Sequence, residues 1–302
     1  MAKRFFAALM LLLAPAIAAA QSLDPRAYSN LPVGLNFLLA GYTYSQGELA
    51  FDASAPLQDG NSRVHALPIG YVRSLDVFGN SGNIALLLPW VDLTATASFE
   101  GATQARRDVS GLADPTVRLA VNFYGAPALR PREFAAWRQD LIVGASLAVT
   151  APFGQYDEDR LVNIGSNRWS IKPEVGVSQA LGRWTVEFAA GITWFTRNDE
   201  FFNGNTREQD PIYSTQLHAT RQLGRGAWGA FSLTYYDGGR STINGVEREQ
   251  KLGGSRLGLT LSLPVDRRNS IKLSAHSGLI ARTGSDFEGA GLIWQHLWGE
   301  SP

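Results

Sequence analysis

The chain has 302 residues, 45% of them hydrophobic and 18% charged, with 27 basic residues balancing 27 acidic ones. That composition excludes a disordered chain and a bundle of membrane helices, and the even charge gives no hint of nucleic acid as a partner. There is no cysteine, so disulfides, thiolate metal sites and cysteine nucleophiles are excluded as well.

At the N-terminus, Lys3 and Arg4 precede an apolar run from Phe5 to Ala19, and Ala18, Ala19 and Ala20 supply small residues before Gln21. This is the layout of a secretory signal, with cleavage expected after Ala20 and a single domain from 21 to 302. No later stretch approaches the roughly 18 apolar residues that a spanning helix needs.

Downstream, the pattern is one of alternation, which reads as strands with one face of each kind. The first three segments, near 32–45, 62–77 and 83–95, carry apolar residues on both faces, and their sides cannot be assigned. Over 112–124, Val117, Leu119, Val121 and Phe123 alternate with Thr116, Arg118, Ala120 and Asn122. A connection over 125–139 follows, with room for a helical turn around 131–137. The later strands are expected over 139–152, 168–180, 183–196, 210–221, 227–237, 253–264, 270–280 and 287–298. In 183–196, Trp184, Val186, Phe188, Ala190, Ile192 and Trp194 share one face.

The connections alternate too. Tight turns at "GNSG", "LGR", "LGRG" and "VDRRN" trade with longer polar loops such as "PFGQYDEDRLVNIGSN" and "GGRSTINGVEREQK". About twelve strands with long-short alternation predict an all-β, up-and-down antiparallel barrel of the transmembrane kind. The 125–139 connection breaks the rule, since a short turn belongs there.

A soluble β-sandwich would also alternate, with its greasy face inward. Against it, the polar face carries mid-strand charge among many small residues, and aromatic residues sit near strand ends. Trp184 and Trp194 are ten residues apart on one face; at about 3.3 Å per residue and a tilt near 40°, that spans roughly 25 Å, the height of an apolar band between two aromatic girdles. Trp169, Trp228, Tyr235, Trp294 and Trp298 are the other girdle candidates. The greasy face is therefore read as meeting lipid, and Arg118, Lys172, Glu174, Glu187, His218, Arg256, Lys272 and His276 as lining the lumen. A backbone diameter of roughly 25 Å leaves a narrow lumen once side chains fill it.

Several stretches, "SGLADPTVRLAVNFYGAPAL", "TAPFGQYDEDRLVNIGSNRWSIKPEVGVS", "DPIYSTQ", "YYDGGRSTINGV" and "RTGSDF", resemble the phenol-degradation (MetA-pathway) transporter family of Gram-negative outer-membrane proteins. The similarity runs from about residue 33 to Trp298. It implies an outer-membrane location and passage of aromatic or otherwise apolar small molecules, with no assigned binding residues to carry over. The motif positions Asn163, Gly165, Asn167, Arg168 and Trp169, with Arg282, Gly284, Asp286 and Phe287, would fall at or near external loops, where holding loop conformation is favoured over touching a solute.

The expected function is a channel working by passive diffusion, with external loops as a filter. The partners are then outer-membrane lipid, the small solute, and the barrel-assembly machinery during biogenesis. Two alternatives stand beside it. A lipid hydrolase would need a nucleophile and base such as Ser274 and His276 to face lipid, and a purely structural or adhesive barrel would conduct nothing. No cofactor is implied, and no spacing of His, Asp and Glu suggests a metal site.

Overall fold

The computed structural model describes residues 24–49, 57–99, 104–249, 251–283 and 287–299; the expected export signal, and Gly284 and Asp286, lie outside them. The alternating runs form β1 Leu35–Leu49, β2 Leu57–Val77, β3 Asn80–Phe99, β4 Gln104–Leu112, β5 Thr116–Tyr124, β6 Leu141–Thr150, β7 Ser170–Leu181 and β8 Trp184–Phe195. They continue as β9 Asn198–Phe201, β10 Asn205–Gln209, β11 Ile212–Gly224, β12 Ala227–Gly238, β13 Ser241–Ile243, β14 Val246–Glu247, β15 Leu252–Pro264, β16 Asn269–Thr283 and β17 Phe287–Gly299.

Thirteen of these strands make one sheet, ordered β2-β1-β17-β16-β15-β12-β11-β8-β7-β6-β5-β3-β4, and a further β2–β3 pairing closes it into a ring. β4 and β5 occupy one position in the wall. β4 pairs with β3 between Trp90 and Ser98, and β5 pairs with β3 between Gly82 and Leu87. The barrel is therefore twelve strands around, all antiparallel. The break between β4 and β5 falls at Ala113–Pro115, where Pro115 has no N–H to give a ladder. Closure leaves no open edge where hydrocarbon could not satisfy a backbone donor or acceptor.

One end of the barrel carries tight turns, at 78–79, 182–183, 225–226 and 265–268. At the other end the connections are longer, and two of them fold on themselves. β9–β10 and β13–β14 pair into a four-stranded sheet of their own, with Phe201 and Ile243 buried against Leu161 and Phe202. The exception at the turn end is the 125–140 connection. Its helix α1 covers only Pro131–Phe134, shorter than the expected 131–137, and the chain leaves it in a turn in which the Trp137 N–H donates to Phe134 O. This connection is bonded to its surroundings: Ser81 N–H donates to Ala126 O, and Ala128 N–H to Gly79 O.

Burial is inverted relative to a water-soluble fold. Leu119, Val175, Phe188, Leu217, Phe231 and Leu259 are exposed, while Ser146, Ser178, Gln216, Thr220 and Ser232 are buried. An apolar exterior of this extent is stable only against hydrocarbon. Trp184 and Trp194 stand on the outer face at opposite ends of β8, and Trp169, Tyr235, Trp294 and Trp298 are likewise exposed.

Trp228 corrects the girdle set. It is only 8% exposed and shares a strand face with the buried Ala230, Ser232, Thr234 and Tyr236, so its ring points into the barrel. There it meets the Arg26 guanidinium at 5.4 Å and the Lys272 Nζ at 5.9 Å from the ring centre. A strand-end tryptophan is a girdle residue only if its face is the apolar one, and on β12 that face belongs to Phe231, Leu233 and Tyr235.

Candidate functional site

The strand registers bring the charged positions together inside the ring. Arg118, Ala148 and Lys172 are successive cross-strand neighbours on β5, β6 and β7. An inner row runs Ser178, Glu187, His218, Ser232, Gly258, His276, Gly289 and Ser45 across eight adjacent strands. Arg256 stands opposite Thr234, and Lys272 opposite Ser262, on the same inward face. Ser274 and His276 lie on this face of β16, toward the lumen rather than the lipid. Among the described residues no three His, Asp or Glu side chains gather in a way that could hold a metal ion.

Part of this interior is filled, and sequence periodicity gave no sign of it. Residues 24–34 enter the barrel at the turn end ahead of β1 and lie along the polar wall. Tyr28 is 1% exposed. Its hydroxyl donates to Glu174 Oε1 at 3.0 Å and lies 3.4 Å from Ser146 Oγ, and the Arg118 guanidinium sits 5.6 Å from its ring centre. The ring fits only because Gly144 and Gly176 lack side chains: a Cβ on Gly176 would come within 2.1 Å of Tyr28 Cε2. The Arg26 backbone N–H donates to Glu187.

The polar wall is itself bonded. Lys172 Nζ is 3.0 Å from Glu174 Oε2, which also accepts from Gln216 Nε2 at 3.1 Å. Ser178 donates to Glu187 at 3.0 Å, and His218 Nδ1 is 2.8 Å from Ser232 Oγ. The 125–140 connection and the β2–β3 hairpin brace the segment from below: Val33 N–H donates to Leu129 O, Asn30 Nδ2 to Pro127 O, and Ser74 Oγ to Pro32 O. That role accounts for a long connection where a tight turn was expected.

The opposite wall is different in kind. On β1, β2 and β3 the inward positions include Leu39, Gly70, Val72, Ala85, Leu87 and Val91, paired across the strands. This resolves the two-faced pattern of the first three strands: their outer face meets lipid and their inner face is apolar as well. Leu87 is 43% exposed, whereas the inward Glu174 and Glu187 are 8% and 2% exposed. Inside this barrel Glu174 and Glu187 are sealed off while Leu87 is accessible.

The β6–β7 connection, 151–169, lies at the loop end. The Asp114 carboxylate, at the β4–β5 break, accepts from Gly154 N–H at 2.9 Å, Ser166 N–H at 2.8 Å and Ser166 Oγ at 2.7 Å, and so ties the two ends of this loop to the wall. Within it, Asn163 accepts from Asp157 N–H and donates to the carbonyls of Asp157 and Arg160. Asn167 donates to Asn198 and Glu200. Arg168 is buried, donates to Gln209, and stacks 4.3 Å over the Phe195 ring. Burial, and then the neighbouring Arg207, push the Arg168 guanidinium well below its ordinary value, against a pull upward from Asp114. Burial likewise lowers Arg207 to about 10. Arg282 lies near the loop end of β16. The sequence contained Asp114 in plain view as "GLADP"; its signal was an Asp-Pro pair breaking an otherwise continuous strand.

A family model described as "Putative MetA-pathway of phenol degradation" matches residues 39–296. Among solved structures, an outer membrane channel from Pseudomonas putida F1 superimposes with a TM-score of 0.78 at 22% identity, covering 92% of this chain and 100% of that one. The β domain of the Bordetella autotransporter BrkA gives 0.55 at 13% identity, covering 88% and 100%. The transport unit of the autotransporter AIDA-I from Escherichia coli gives 0.52 at 9% identity, covering 91% and 93%. At these identities the likeness is one of fold. No curated protein matches in sequence.

Proposed function

The chain belongs to the MetA-pathway phenol-degradation family, and from that premise we propose that it is an outer-membrane channel through which small aromatic or otherwise apolar molecules diffuse passively. The observation that carries this reading is accessible apolar surface inside a closed ring, such as the 43% exposed Leu87. A pore for ions or sugars needs wet polar walls, and here the polar wall is occupied by residues 24–34. The similar fold of an outer membrane channel from Pseudomonas putida F1 supports the same reading. In this scheme residues 1–20 direct export and are removed, the tight turns face the periplasm, and the long loops face outward. Lipid surrounds the apolar band, and the barrel-assembly machinery inserts it.

Arg118, Lys172, Glu174, Glu187 and His218 then act mainly by holding the N-terminal segment, and Asn163, Asn167 and Arg168 by shaping the outer loops. A hydrolase is disfavoured by the placement of Ser274 and His276, which face away from bilayer lipid. The test is entry of the apolar fluorophore N-phenyl-1-naphthylamine into Gram-negative cells expressing the protein, beside swelling of proteoliposomes in sugars. Faster dye entry with little swelling is expected. Rapid sugar flux with no gain in dye entry would refute the assignment.

A further inference from the structure

Resting on the channel reading, we infer that the solute crosses beside the N-terminal segment rather than by displacing it, along the inward faces of β17, β1, β2 and β3. Three observations locate this route. First, the side chains of the segment are committed to the other wall: Tyr28 to Glu174, Ser146 and Arg118, and Arg26 to Trp228 with its own N–H on Glu187. Withdrawing it would break the Tyr28–Glu174 and Arg26–Glu187 hydrogen bonds and unpack the Tyr28 ring from Gly144 and Gly176.

Second, accessibility tracks the opposite arc. The inward residues of β6–β12 are buried almost throughout, whereas Leu39, Val72, Ala85, Leu87 and Val91 are not. Accessible surface within a closed ring means open space in front of it.

Third, glycines on this arc let neighbouring side chains lie flat against the wall. Gly41, Gly70, Gly289 and Gly291 all face inward. A Cβ on Gly289 would come within 2.6 Å of the His276 ring, and one on Gly291 within 2.8 Å of Ser274 Oγ. The crescent between plug and wall is apolar on β1–β3 and bordered on β16 by Lys272, Ser274 and His276. Such a crescent passes flat, weakly polar molecules in preference to hydrated ones, because a hydrated solute must shed water against leucine and valine without compensation.

The experiment measures N-phenyl-1-naphthylamine entry into cells carrying wild-type protein, Leu39→Arg, Leu87→Arg or Tyr28→Phe, with heat-modifiable gel mobility confirming a folded barrel in each. An arginine on either strand should slow entry by about tenfold, since it narrows and charges the crescent. Tyr28→Phe, which loosens the plug, should leave entry within about twofold of wild type. Wild-type rates in both arginine variants would overturn the route while leaving the channel intact. A several-fold rise in Tyr28→Phe would show instead that the plug has to move. Wild-type cells no faster than cells without the protein would overturn the channel reading, and the route with it.

Discussion

Asp114→Ala probes how the 151–169 loop is held to the barrel wall. The carboxylate accepts three hydrogen bonds of 2.7–2.9 Å, one from Gly154 and two from Ser166, at the two ends of the 151–169 loop. A hydrogen bond to a charged group contributes about 1.5–3 kcal/mol. The site is partly exposed, so the low end of that range applies, and the three bonds together favour the closed loop by about 4 kcal/mol. Losing them raises the open population by roughly a thousandfold, as far as the wild-type equilibrium allows. Arg160 offers the readout, because it lies in this loop with a 61% exposed side chain, and trypsin requires the surrounding backbone to unfold before it cuts. In refolded, detergent-solubilised barrel, tryptic cleavage after Arg160 should accelerate by two to three orders of magnitude in Asp114→Ala. Asp114→Asn, which keeps an acceptor for one end only, should fall between. The barrel itself should stay folded, since its ladders are untouched. A cleavage rate within about twofold of wild type, in a barrel of normal gel mobility, would refute the staple.

Glu174→Ala should release the N-terminal segment, because it removes the Tyr28 hydroxyl's acceptor and leaves Lys172 buried without its partner. Breaking such a pair costs about 3–5 kcal/mol, and the expected result is a large rise in single-channel ion conductance in planar bilayers, with Glu174→Gln intermediate. The tryptophan placement is checked by fluorescence in brominated lipid. Trp184→Phe should lower the quenched fraction, whereas Trp228→Phe should leave the lipid-quenched signal intact. At the β15–β16 turn, backbone N–H groups of Arg268 and Asn269 and the Asn269 amide hold the Asp266 carboxyl below its ordinary value. A lowered folded value means that its contribution is full above the ordinary carboxylate range and is lost as pH falls through the folded value. Exchange protection of the Asn269 amide should therefore be flat near neutrality and drop only in acid, and Asp266→Asn should remove that dependence.

What was legible in the sequence was whatever one period could encode. On most barrel strands from β5 to β16 a polar face turns inward and an apolar one outward, so period two located those strands and separated lumen from lipid. β1 to β3 defeated that logic because both their environments are apolar, and alternation carries information only when the two sides differ. Trp228 was misassigned for a related reason: proximity to a strand end was weighed without its face. The N-terminal segment has no period at all, being held by single contacts at Arg26 and Tyr28. The outer four-stranded sheet left a usable signal that periodicity ignores. Asn203-Gly204 and Asn244-Gly245 both take positive φ, at 60° and 73° and at 49° and 77°, the tight hairpin turn that an Asn-Gly pair announces.

The asymmetry of the lumen explains why a plug and a passage can share one barrel. A ring with charges all round would fill with water and leak ions; a ring with leucine all round would give an N-terminal segment nothing to hold. Confining Lys172, Glu174, Glu187 and His218 to one arc gives the segment its partners, and once docked it excludes water from the groups that would otherwise be solvated. What remains open is the arc of Leu39, Val72 and Leu87, too apolar to keep a continuous file of water in a narrow space, and hydrophobic constrictions of this kind bar ions by dewetting. On the proposed reading, selectivity for apolar solutes does not depend on a gate that opens. It follows from which half of the wall the segment covers, so moving a charge to the open half should do more damage to function than removing one from the sealed half.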